Sequence, residues 1–120
     1  MLAPQQRRPS SILEQDQDIF ELASLYPRNT GLPMTIWVSP LGGAQHDARI
    51  KVCMTHGDRM DPSNLAVIGL RPRPHLLHGR LLPADLSAVH AWVTLNEAVL
   101  LDYWEGSIDT FELVQRLRKI

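Results

Sequence analysis

Arg71, Arg73 and His75 alternate along the chain, with His78 and Arg80 close behind. An extended backbone would present the alternating three together, a set suited to phosphate or nucleic acid. Trp37, Arg49 and Lys51 supply the other ingredients of a single-strand surface, an aromatic ring with flanking cations. Whether Trp37 shares a face with Arg49 and Lys51 depends on strand register, because a slip of one residue reverses it. The competing reading of the connector is a solvated sheet edge protected by charge and proline.

The histidines and the single cysteine raise other chemistry. His75 and His78 have a spacing that would put two zinc ligands on one helical face, with His46, His56 and His90 as further donors. Pro72 and Pro74 argue against a helix there, and no C-x-x-C motif accompanies the pair, so neither metal nor cofactor is expected. His46-Asp47 and His56-Gly57-Asp58 set imidazole near carboxylate, as hydrolytic sites do. Neighbours on a strand point to opposite faces, however, and turn chemistry accounts for Asp58, Asp61 and Asn64. Cys53 could act as a nucleophile with His56, given an electropositive and partly exposed setting to which Lys51 would contribute. Between Val52 and Met54 it reads as a structural cysteine. No residue is assigned a catalytic role.

The elements that must position these side chains follow from hydrophobic period. Residues 12–25 place Ile12, Ile19, Leu22 and Ala23 near helical spacing, with Glu14, Gln15, Asp18 and Glu21 between them. Pro27 closes that helix, and residues 27–33 read as a linker. Strands are predicted over 34–39, 48–54 and 65–70; in the second, Arg49, Lys51 and Cys53 alternate with Ile50, Val52 and Met54. Arg71-Pro72-Arg73-Pro74 reads as a connector or an extended edge, since proline offers no donor to a ladder.

Pro83 opens a long helix over 84–104 with Ala88, Trp92, Leu95, Val99 and Tyr103 on one stripe. A final helix over 109–119 has Asp109 as its cap, Glu112 reciprocating, and Ile108 set to staple Leu113. Trp92, Tyr103 and Trp104 read as core.

The expected architecture is α+β: a small antiparallel sheet of about three strands, packed by the long C-terminal helix and the short final one. Residues 29–120 form the domain, and residues 1–28 a flexible arm whose Ile12, Ile19, Phe20 and Leu22 would meet a partner. A chain of 120 residues suits one core, and 12 basic against 13 acidic residues argue against a global footprint for nucleic acid or an acidic membrane. No apolar run nears the ~20 residues that span a bilayer, and no signal peptide is evident. One cysteine allows no internal disulfide, so a cytoplasmic protein without a membrane partner is expected.

Three segments carry a resemblance: Trp92-Val93-Thr94-Leu95-Asn96-Glu97, Leu100 to Gly106, and Ile108-Asp109-Thr110-Phe111-Glu112-Leu113. Together with residues 32–40 and 46–52, they resemble short uncharacterised alphaproteobacterial proteins, some of them labelled transposase. More distantly the order is similar to a family of small bacterial domains of unknown function, some laid out like toxin–antitoxin partners. The resemblance covers residues 29–120; it implies bacterial origin and a fold layout and carries over no catalytic residue. The expected function is a protein-interaction module, antitoxin-like or inhibitor-like, of mobile-element or phage type. A nucleic-acid-binding accessory factor and a small His/Asp hydrolase are the alternatives. The oligomeric state stays open, a homodimer included.

Overall fold

The computed structural model describes residues 22–120. The helix expected from residue 12, and the roles of Ile12, Ile19 and Phe20, lie outside the described residues. The elements are β1 (Ala23–Leu25), α1 (Pro27–Thr30), β2 (Met34–Val38), β3 (Arg49–His56), β4 (Leu65–Gly69) and β5 (His75–His78). Three helices then follow: α2 (Pro83–Leu95), α3 (Glu97–Trp104) and α4 (Thr110–Arg116). The strands form one antiparallel meander in the order β1-β2-β3-β4-β5.

Among the described residues the sheet therefore has five strands, not about three. The stretch 23–25, expected to end a helix, pairs instead with β2, where Ala23 faces Val38 and Leu25 faces Ile36. Three residues carry too little intrinsic preference to resist an available strand edge, and pairing buries Ala23 and Leu25. Residues 27–30 of the expected linker form α1, where the Asn29 side chain accepts the Tyr26 N–H at 2.8 Å. At the other edge, Pro72 and Pro74 stop just short of β5, so His75 to His78 are free to donate to β4.

Alternation assigns the faces. Ala23, Leu25, Ile36, Val38, Ile50, Val52, Ala66 and Ile68 fall on one face, and all are buried in a core shared with Val89, Trp92, Val93, Val99, Leu100, Tyr103 and Leu113. At about 25 cal/mol per Å² of apolar surface removed from water, this two-layer contact is the main source of stability. Trp92, Tyr103 and Trp104 belong to it, as expected from their spacing.

The long helix is interrupted at Asn96, which is buried. Its amide donates to the carbonyls of Trp92 and Arg118 at 3.0 Å each, and its oxygen accepts the Arg118 N–H at 2.8 Å. The helical register survives the interruption, so Val99, Leu100 and Tyr103 continue the buried stripe, while Leu95 turns outward. The final helix is shorter than expected, with Asp109 accepting the Glu112 N–H at 2.9 Å as its cap. Among the described residues, no helix is long and apolar enough to cross a membrane.

Candidate functional site

The second face of the sheet carries the chemistry. Trp37 stands directly opposite Lys51, Lys51 opposite Val67, and Val67 opposite His78, so one row crosses four strands. One pair further along, Arg49 faces Gly69, and Gly69 faces His75. Directly opposed residues on antiparallel strands share a face. The register thus settles what alternation alone left open: Trp37, Arg49 and Lys51 lie together, with His75 and His78 on the same side. The His75 ring lies over Gly69, where a Cβ would stand 2.6 Å from it and the ring would have to move.

Among the described residues, Trp37 and Cys53 are the two buried apolar ones that do not join the helical core. They mark a second, smaller packing site. The loop 57–64 folds toward it: Thr35 donates to the Gly57 carbonyl at 3.2 Å, the Tyr26 hydroxyl meets the Met60 sulfur at 3.1 Å, and Arg28 approaches Asp58 at 3.5 Å. Between that loop and the strands lies a groove of about 330 Å³ lined by Leu22, Trp37, Lys51, Met60, Pro62 and Leu65. Its walls are apolar and one rim is the exposed Lys51. The Arg49 Nε is buried and has no hydrogen-bond partner among the described residues. Among the described residues, no ion pair engages Arg49 or Lys51.

The basic connector is less open than its sequence suggests. Arg71 does not stand free with Arg73: its Nε and Nη2 reach Asp47 at 3.2 and 2.5 Å, and Glu105 lies 3.9 Å away. This fork holds the Asp47 carboxyl below its usual range, and the Asp47 side-chain bond in turn raises the Arg71 value. Nor is the connector extended. His75 Nδ1 lies 2.7 Å from the Arg73 carbonyl, which folds its ring back over the sheet, away from the expected alternation with Arg71 and Arg73. Arg73 and Arg80 are exposed outside the row just described.

The hydrolytic combinations dissolve or change partner. His46 meets the Asp47 backbone at 2.9 Å and stacks against Trp104 with ring centroids 5.4 Å apart, while the Asp47 carboxylate is committed to Arg71. His56 bonds Asp85, not Asp58, at 2.7 Å, beside a cavity of about 260 Å³ lined by Met54, Arg80, Leu81, Leu82, Pro83 and Asp85. Cys53 is fully buried, which removes it as a nucleophile. No group of three metal-ligating side chains occurs among the described residues.

Sequence reasoning missed Met60, Pro62 and Asp85. The first two sit in a loop with no periodic signal. Asp85 reads as a first-turn acid on the helix dipole, and nothing local announces its bond from α2 to His56 at the end of β3. No protein-family profile, no curated protein and no solved structure matches this chain.

Proposed function

We propose that this chain is a non-enzymatic protein-interaction module, inhibitor-like or antitoxin-like in role. It takes an acidic, partly apolar segment of its partner on the face of the sheet opposite α2, α3 and α4. The observation that carries this reading is the buried Arg49 Nε, which has no acceptor among the described residues; Lys51, two positions further along β3, lines the apolar groove and has no ion-pair partner among them. A buried donor left unpaired costs roughly 1–3 kcal/mol, which an incoming carboxylate would recover through a charge-assisted bond. The groove would hold an aliphatic or aromatic side chain next to that carboxylate.

Two observations weigh against nucleic acid as the ligand. Trp37 is only 6% exposed, so its ring offers no open platform for a base. Arg71 is already neutralised by Asp47. For the hydrolase reading, the His56–Asp85 pair supplies an oriented imidazole, but the buried Cys53 brings it no nucleophile.

The test is selection of random peptides, displayed at high copy number, on the full chain. Enrichment of sequences combining Asp or Glu with Leu, Ile or Phe is expected, with binding lost in R49E/K51E. No enrichment, or equal retention by the charge-reversed variant, would overturn the proposal. Binding of a single-stranded oligonucleotide with steep salt dependence would hand the face to the nucleic-acid reading.

A further inference from the structure

Resting on that reading, we infer that the partner segment lies extended along β4 and is recognised with a period of two: an apolar, an acidic and an apolar residue at i, i+2 and i+4. Leu65, Val67 and Gly69 of β4 lie on this face, directly opposite Cys53, Lys51 and Arg49 of β3. They mark three stations. At Leu65 is the apolar groove. Val67 sits between Lys51 and His78. At Gly69 the His75 ring and the Leu77 side chain fold inward, 2.6 and 3.2 Å from where a Cβ would stand. Leu77 is about half exposed, so a second apolar side chain can pack against it.

The spacing of the stations selects the conformation of the ligand. Leu65 and Gly69 are four residues apart, roughly 13 Å along the strand. Four residues of an extended segment cover the same distance, whereas four residues of a helix cover about 6 Å. The width gives the same answer. β3 and β5 flank β4, so about 10 Å separates the row of Arg49 and Lys51 from the row of His75, Leu77 and His78. A helix with its side chains is roughly 10–12 Å across and would ride above both rows.

Charge places the middle residue. Arg49 and Lys51 stand two residues apart on β3, about 6.7 Å, and a carboxylate over Val67 has one oxygen for each of them. Among the described residues, no strand residue of this face is acidic and no ion pair engages either cation, so the carboxylate meets no competitor. An apolar residue at i then enters the groove beside Trp37 and Met60, and one at i+4 meets Leu77.

The test is fluorescence anisotropy with labelled synthetic peptides on the full chain. The matched probe is Ser-Gly-Phe-Thr-Glu-Thr-Leu-Gly-Ser, and the shifted probe moves the acid by one place, Ser-Gly-Phe-Glu-Thr-Thr-Leu-Gly-Ser. The matched probe should bind about tenfold more tightly, because the shifted acid points away from the sheet. L77S, checked for native folding by circular dichroism, should weaken the matched probe about fivefold and leave unchanged a probe whose leucine is replaced by serine. Equal weakening of both probes by L77S overturns the second apolar station. Equal binding of matched and shifted probes, lost in R49E/K51E, overturns the spacing while the face remains a peptide site. Tighter binding of a helical probe with its apolar residues about nine positions apart overturns the extended form. A matched probe that does not bind also overturns the inference, and the display selection above then decides the face independently.

Discussion

Asn96 shows how one side chain can set the course of two segments. It interrupts the C-terminal helix and pairs with the backbone of Arg118 through both its oxygen and its amide. Replacing it with alanine removes both part-buried bonds to the Arg118 backbone, so N96A should cost about 2 kcal/mol and lower Tm by roughly 8 °C in a thermal melt. Asp47 gives a prediction in pH. Its folded-state pKa is depressed below 3.8, first by the Arg71 side-chain bond. Its contribution is therefore complete above the unfolded value and fades as pH falls through the lower folded one. In acid titration, D47N should be less stable than wild type at neutral pH, and the gap should close below about pH 4. Both residues are polar positions whose partners lie far along the chain, and for that reason neither was legible from sequence.

Among the elements, legibility tracked how locally each was determined. The cap at Asp109 and the alternation from Arg49 to Val52 depend on neighbours within a few residues, and both were readable. The edge strands β1 and β5 were not, because three or four residues beside prolines or a helical-looking run become strands only when a partner edge is available. The turn leaving β5 is a second test of this scale. Gly79 and Gly106 share a positive φ of 81°, but only Gly79 is crowded: a Cβ would stand 2.7 Å from the Leu65 carbonyl and 2.8 Å from the Ala66 Cα. G106A should cost about 1 kcal/mol for backbone strain alone. G79A should cost more, about 2–3 kcal/mol, since strand β4 must yield as well. Urea midpoints of the two variants compare them directly.

At the scale of the whole molecule, the sheet divides labour between its faces. One is consumed by the helices and the other retains cations, a buried indole and a groove. The individual residues of that second face were identifiable by type, but their assembly depended on a register that no local pattern sets. Cys53 reports on whether the face stays closed. It is fully buried beside Leu65, so thiol reagents should label it only at the rate of opening. Fast labelling of native protein would show that this layer opens independently of the helical core.

Met60 adds a chemical vulnerability to that layer. Its thioether forms part of the groove wall and is about half exposed, within reach of the Tyr26 hydroxyl. Conversion to the sulfoxide would place a polar, chiral oxygen where an apolar side chain should sit. Brief peroxide treatment should therefore weaken peptide capture, M60L should resist the loss, and methionine sulfoxide reductase should restore it. The proposed binding face would then record the oxidative history of its surroundings.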